Sequence, residues 1–307
     1  KIILKIMIDI FIPSYHRPKN IKTAKYFKKL GYDIEKIHVV IDDQTDDIRE
    51  YQYETKRLGC HLHIVNMKES INKFDYVHRP STSRRTAGQF RNQFYDIAAK
   101  QKIDFYIAID DDTNHFEVKP FGVYKRTAEL KHVIEVFKRV KKFMIKHKIG
   151  CFGLSQTGDM FSVPDLKVIR NKVMNTTFYN TKYIYRGEKG KLDDDTSQFV
   201  GIMNEGLFTG SLASGLVLRQ MPSAKQKGGL TDMYKENKLL SKALVVPIQF
   251  PSAVHAEKQK KNGGRLHHKI KYRYLYPKLI KGERNNIAWN TYPEDILFTN
   301  KPKRKYG

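Results

Sequence analysis

The residues of this chain best suited to chemistry are acidic triplets and a short basic run. Asp110, Asp111 and Asp112 stand together directly after an apolar run at 105–109 (FYIAI). Adjacent carboxylates repel one another, and burial raises their pKa values unless a cation compensates. Strand alternation carried through the triplet would put Asp110 and Asp112 on one side and Asp111 on the other. Two carboxylates on one side of a sheet edge suit Mg2+ or Mn2+, with substrate phosphates completing the shell. A solvated acidic turn, or a helix cap shared with Asn114, would use the same residues without chemistry. Arg84, Arg85 and Arg91, with Asn92, lie around the start of a predicted helix. There, guanidinium groups and the helix dipole together would neutralise a diphosphate; solvated surface arginines are the plain alternative.

The elements that must position these groups alternate. Residues 5–12 (KIMIDIFI), 36–41 (KIHVVI), 61–65 (HLHIV) and 105–109 read as strands, and 21–30, 45–58 and 85–100 have helical spacing. Such alternation implies an α/β fold with a mostly parallel sheet covered on both faces. Ligands of such sheets bind beyond the carboxyl ends of the strands. Three polar loops follow strands at that edge: Pro13 to Pro18, Asp42-Asp43, and the Asp110 triplet. Further on, 130–144 reads as a basic amphipathic helix, 151–155 as a strand, and 195–204 as a helix entered through Asp193, Asp194 and Asp195. Residues 244–248 (LVVPI) read as an edge strand because of Pro247. The Gly- and Lys-rich stretch 258–269 reads as mobile, and no internal repeat is present.

Charge points to an anionic partner. The 307 residues carry 57 Lys+Arg against 32 Asp+Glu, a formal net charge of +25. Nine Lys/Arg fall within 124–148, and fourteen lie beyond 250, interleaved with Tyr272, Tyr274, Tyr276, Trp289 and Tyr292. Basic residues mixed with aromatics suit a groove that tracks a nucleic-acid backbone and stacks on bases; a solvated Lys-rich surface is the alternative. Hydrophobic residues at 40% supply a core and argue against disorder. The two cysteines, Cys60 and Cys151, form no disulfide scaffold or Cys-based zinc site, so a reducing cytoplasm is expected. No apolar run approaches the roughly 18 residues of a membrane span. Residues 2–12 are interrupted by Lys5 and Asp9 and read as a buried strand, not a signal peptide.

Taken in order, the Pro13-Ser14 loop, Asp42-Asp43, the Gly88-x-x-Arg91-Asn92 helix and the apolar strand into Asp110-x-Asp112 resemble GT-A-fold nucleotide-sugar glycosyltransferases. Asp194-Asp195, followed by Val200, Ile202 and Gly206, is similar to the acceptor-side acid motif of inverting members. With Gly153-Leu154-Ser155-Gln156 and Gly228-Gly229 added, the chain resembles the TET-associated glycosyltransferase family over about 6–235. Those enzymes, many from bacteriophages, are implicated in attaching sugars to hydroxymethylated pyrimidines in DNA. Asp194 replaces the commoner Glu, and Ser197 stands where a further acid is frequent.

The resemblance implies a GT-A-like domain over 1–250, split into a nucleotide-sugar half (1–115) and an acceptor half (116–250), with a basic aromatic segment over 251–307. It implies that Pro13, Ser14, Arg17, Asp42 and Asp43 hold the nucleoside of a UDP-sugar, with Arg85, Arg91, Asn92, Asp110 and Asp111 completing the donor site. Asp110 and Asp112 would hold Mn2+ or Mg2+, with His255 as a third ligand where it is not simply a surface or DNA-contacting histidine, and Asp195, beside Asp194, would be the catalytic base. Asp193 to Asp195 would otherwise be a cap suited to the helix dipole. Lys225, Lys227, Gly228 and Gly229 would form a lid or a DNA-contacting loop, and Arg265, Lys269, Lys271 and Arg273 would contact hydroxymethylated DNA. The expected location is the cytoplasm, of the host if the chain is phage-encoded. Two other readings stay open here: transfer to a polysaccharide or lipid-linked acceptor, and a nucleic-acid-binding module on a degenerate transferase fold.

Overall fold

The structure, a computed structural model, describes residues 7–45, 47–73, 87–118, 128–130, 132–154, 167–169, 173, 176–183, 194–207, 209–213, 216–218, 239–259, 264 and 266–275. Its first four strands are β1 (Asp9–Pro13), β2 (Ile37–Asp42), β3 (His61–Val65) and β4 (Phe105–Ile109). They pair in parallel in the order β3-β2-β1-β4. β2 and β4 are buried along their whole length, which is why they read as continuous apolar runs instead of alternating ones.

Alternate residues of these strands feed two cores. Ile10, Ile12, Val39, Ile41, Ile107 and Ile109 face α1 (Lys22–Lys29), α2 (Ile48–Leu58) and α5 (Val133–Lys146), through Phe27, Tyr51 and Phe137. Phe11, Val40, Tyr106 and Ala108 face α4 (Ala87–Lys100), through Phe90, Phe94 and Ala98. A short α3 (Met67–Lys73) follows β3. Gly59 ends α2 at φ +88, a left-handed conformation that any side chain would strain.

The sheet continues through β9 (Thr176–Asn180), β7 (Cys151–Gly153), β10 (Thr209–Ala213) and β8 (Lys167–Ile169). β9 runs antiparallel to both β4 and β7, and β8 runs antiparallel to β10. The α/β class and the largely parallel, helix-flanked sheet are as the sequence leads one to expect. The antiparallel β9 between two strands parallel to each other was not anticipated, although its TTFYN run is rich in β-formers. A small second sheet, β11-β5-β6, is built from β5 (Phe116–Val118), β6 (Ala128–Glu129) and β11 (Leu216–Leu218).

Two expectations fail toward the C-terminus. Residues 244–248 are helical, within α7 (Leu239–Gln249), and Pro247 lies in its last turn. The apolar run is long enough for a helix, and Pro247 removes only one hydrogen bond near its end. The stretch 258–269 is not wholly mobile, because β12 (Val254–Lys258) and β13 (Leu266–Ile270) pair antiparallel. This hairpin and α8 (Tyr272–Leu275) pack on α7 and on α6 (Asp194–Asn204), where Phe199, Val200, Met203, Val246, Val254 and Leu275 form a third core. Among the described residues no helix is long and apolar enough to cross a membrane.

At the sheet edge where β1 and β2 begin, a hydrogen-bonded chain runs from Asp9 through His38 to His63. His38 Nε2 lies 3.1 Å from Asp9 Oδ1, and its Nδ1 lies 2.9 Å from His63 Nε2. Burial would raise the Asp9 carboxyl, but the His38 hydrogen bond and the nearby Lys36 and His38 charges bring it below its usual value. Burial, with His38 and His61 alongside, pushes the His63 imidazole down to about 4. Unfolded, His63 takes a proton near 6.5, so between these values the unfolded state binds more protons and stability falls as pH drops. On going from pH 7 to pH 5 the melting temperature of wild type should therefore drop relative to that of His63→Gln. Equal slopes in thermal melts of the two proteins would contradict this assignment.

Candidate active site

β1, β2 and β4 end at one rim, and their following loops meet there. The turn of 110–113 is clamped by the first turn of α1. Thr23 donates its hydroxyl to the Asp110 carbonyl and its N–H to the Asp111 carbonyl at 3.2 Å, and accepts from the Thr113 N–H at 3.0 Å. The Asp111 carboxylate turns toward the β1 loop. It accepts from Ser14 Oγ at 2.7 Å and from Arg17 Nη1 at 3.1 Å. Tyr51 of α2 closes the cluster, its hydroxyl 2.8 Å from Ser14 Oγ and accepting from the Arg17 N–H at 3.0 Å. Pro13 ends β1 and hands the chain to Ser14, whose N–H bonds the Val40 carbonyl.

Asp42 and Asp43 have local duties. Asp42 is wholly buried at the end of β2 and accepts from the Gln44 N–H at 2.9 Å. Asp43 Oδ1 accepts from the N–H of Met67, the first residue of α3. A turn and a helix start thus account for one carboxylate oxygen of each.

Asp110 faces away from Asp111, toward α4. Arg91 Nη2 lies 3.6 Å from Asp110 Oδ1, while Arg91 Nη1 is hydrogen-bonded to Asp194 Oδ2. The sequence suggested that Arg91 would await a diphosphate; here it lies between two carboxylates. Asn92, the next residue of α4, is buried. Both Asp110 and Asp111 are pushed up to about 6. For Asp110, burial leads, opposed by Arg91 and reinforced by Asp112, Asp111 and Asp194. For Asp111, burial again leads, opposed by Arg17 and Ser14. Asp112 adds repulsion to both, and its own Oδ1 is buried without a hydrogen-bond partner.

Asp194 and Asp195 occupy the first turn of α6, as expected. The helix is pinned by Ser197 Oγ on Gln249 Oε1 of α7 at 2.6 Å and by Gln198 Nε2 on the Tyr179 hydroxyl of β9 at 2.8 Å. The hairpin brings His268 to this helix, its Nε2 3.4 Å from Thr196 Oγ1. His255, opposite Lys269 in the strand register, sits on the other face of the hairpin, its Nε2 3.4 Å from Glu257 Oε2. The histidine delivered to the acid-bearing helix is thus His268. Lys269, Lys271 and Arg273 are exposed, Lys269 pairing with Glu257 and Arg273 lying over the Tyr274 ring. Arg85, Lys225, Lys227, Gly228, Gly229 and Arg265 lie outside the described residues.

The rim fits a divalent cation in chemistry: hard oxygen donors, mutual repulsion, and an orphaned oxygen on Asp112. Among the described residues, no three His, Cys, Asp or Glu side chains are grouped so as to hold a metal by themselves. Mg2+-type sites commonly use one or two carboxylates and leave the remaining positions to water and substrate phosphates. Tyr51, Thr23 and Arg17 shape the rim as much as the acids do. Tyr51 escaped the sequence reading because its buried helical position signals packing, with no sign of where the hydroxyl reaches.

No protein-family model and no curated protein sequence matches the chain. Solved structures similar to it include glucosyl-3-phosphoglycerate synthase from Mycobacterium tuberculosis. One structure of that enzyme aligns at 10% identity and TM-score 0.46, covering 82% of this chain and 84% of that one. Its complex with Mg2+ and uridine diphosphate aligns at 11% identity and TM-score 0.43, covering 86% of each chain. Its complex with Mn2+, UDP-glucose and phosphoglyceric acid gives 11% identity and TM-score 0.43, covering 89% and 88%. Likeness at this level carries no statement about activity, which rests on the rim itself.

A raised carboxyl pKa means that ionisation opposes folding. The stability from protonated Asp110 and Asp111 is complete below the unfolded value of 3.8 and lost as pH rises through about 6. A cation that relieves the repulsion should therefore raise the melting temperature at pH 7.5 and have little effect at pH 5. Thermal melts with Mn2+ and UDP, against chelator, read this directly; the same shift at both pH values would contradict it.

Proposed function

We propose that the chain is a metal-dependent glycosyltransferase. It moves a sugar from a UDP-sugar to the hydroxymethyl group of 5-hydroxymethylcytosine or 5-hydroxymethyluracil in phage DNA, as the resemblance to the TET-associated family implies. One observation carries the reading: a crowded, partly buried carboxylate turn beyond β4 lies within one arginine of the acidic first turn of α6. The two sets of acids suit the two halves of a transfer reaction. The turn offers oxygen donors beside the Ser14–Arg17 loop, where a nucleoside diphosphate would sit, and α6 offers carboxylates toward an acceptor.

A bound Mg2+ or Mn2+ would supply Lewis-acid neutralisation of the diphosphate leaving group. Asp110 and Asp112 would hold it, while Asp111, fixed by Ser14 and Arg17, keeps the turn in register with the β1 loop. Asp195 takes the proton from the acceptor hydroxyl as it attacks. A primary alcohol is a poor nucleophile near neutrality, and a positioned base contributes about 10²–10⁴-fold. The net charge of +25 suits an acceptor made of phosphates, whose contacts position the polymer without reading sequence. Lys269, Lys271 and Arg273, with the exposed Tyr272 and Tyr274, present one such surface. Extrusion of the modified base would bring its hydroxymethyl group to the rim.

The test is incubation of hydroxymethylated and unmodified DNA with a panel of UDP-sugars and Mn2+, followed by nucleoside mass spectrometry. A new sugar adduct on hydroxymethylated DNA alone is the expected result. Asp112→Ala should lose Mn2+-dependent UDP binding and turnover together. Asp195→Asn should lose turnover by roughly 10²-fold or more with UDP binding retained, and undiminished transfer in that variant would remove Asp195 from the base role.

A further inference from the structure

We propose that Arg91 is a positioning residue that sets the acceptor-side acids against the donor rim, in place of the diphosphate ligand that the sequence suggested. The inference rests on the glycosyltransferase reading and assigns how its two halves are held in register. Arg91 projects from a rigid base: its neighbours Phe90 and Phe94 anchor α4 against Phe11 and Tyr106 of the sheet. Its guanidinium is planar, with donors fixed in a fork, so one side chain can serve two carboxylates in a set relative geometry. One arm bonds Asp194 Oδ2 and the other stands 3.6 Å from Asp110 Oδ1.

The Arg91 and Asp194 side chains are only 11% and 12% exposed. A buried pair of this kind is costly to break, because removing one partner leaves the other charge uncompensated. Asp110 and Asp194 also repel each other across the gap, which adds a little to a rise of the Asp110 carboxyl that burial leads. Arg91 therefore joins two elements that would otherwise push apart. Asp195 follows Asp194 in the same helical turn, so the position of Asp194 fixes where the base stands relative to the donor. Misplacing a reacting group by about 1 Å can cost on the order of 10²-fold in rate.

The experiment compares wild type with Arg91→Gln, Arg91→Lys, Asp194→Asn and the Arg91→Gln/Asp194→Asn double variant. It measures UDP affinity in the presence of Mn2+ by calorimetry, kcat and KM for transfer, the ratio of transfer to UDP-sugar hydrolysis, and melting temperature. The expected result for Arg91→Gln is a kcat for transfer lower by about 10²-fold, a partition shifted toward hydrolysis, and UDP affinity changed by less than about threefold. Asp194→Asn should behave alike, and the double variant should be no worse than either single one, since both remove the same link. Should Arg91→Gln fail to fold, Arg91→Lys and Asp194→Asn give the same split, because Lys keeps the charge without the fork. A loss of UDP affinity that parallels the loss of rate would overturn the proposal and make Arg91 a donor ligand. Undiminished transfer in Asp194→Asn, or additive losses in the double variant, would also overturn it. If wild type transfers sugar to no acceptor, the functional reading fails on its own; the double-variant cycle in melting temperature still decides whether the link exists.

Discussion

Mutual repulsion among carboxylates brought to one poorly solvated rim is the constraint around which this structure is arranged. Asp110, Asp111 and Asp112 follow β4 in a turn where Asp111 is buried and its two neighbours are half-buried, and the buried Asp194 arrives from a different part of the chain. Water screens such charges poorly at this depth, so the protein must answer them with its own groups. Arg17 and Ser14 answer Asp111, Arg91 answers Asp110 and Asp194, and Thr23 holds the backbone that carries the triplet. One oxygen of Asp112 is left unanswered. A site built this way is primed for a cation, and the excess positive charge elsewhere on the chain suits an anionic substrate.

The fold supplies the answers from separate places. Ser14 and Arg17 follow β1, Thr23 opens α1, Tyr51 lies in α2 and Arg91 in α4. Each lies in, or directly follows, an element of the parallel half of the sheet, so the proposed donor side of the rim is stiff. The proposed acceptor side hangs on α6, which is pinned to β9 by Gln198, to α7 by Ser197 and to the β12–β13 hairpin by Thr196. The third core, around Phe199, Met203 and Val254, makes the C-terminal hairpin part of the support for that helix. Residues that look like an appendage by composition thus brace the acid-bearing turn.

The parallel half of the fold was legible because its strands are buried on both faces and its helices show one apolar stripe each; FYIAI running into three aspartates marks a strand end in any reading. The acids at 110–112 and 194–195 were legible for the same reason, as charges placed where burial is otherwise expected. Long-range pairing was not. Nothing local to Arg91 announces that Asp194, more than a hundred residues away, will take its guanidinium. Pro247 misled because a proline in the last turn of a helix resembles one at the end of a strand. His255 and His268 are two histidines of one hairpin, and only the register, Ala256 opposite His268, decides which faces α6.

The central claim, that the Asp110 turn grips a divalent ion together with a nucleoside diphosphate, is tested most directly by a crystal grown with Mn2+ and UDP. Anomalous scattering at the manganese edge then locates the metal. The account predicts a single strong peak within coordination distance of Asp112 Oδ1, bridging to the diphosphate oxygens, with the uridine lying against the Ser14–Arg17 loop. A rim with no metal peak, or UDP bound away from the ends of β1 and β4, would contradict it.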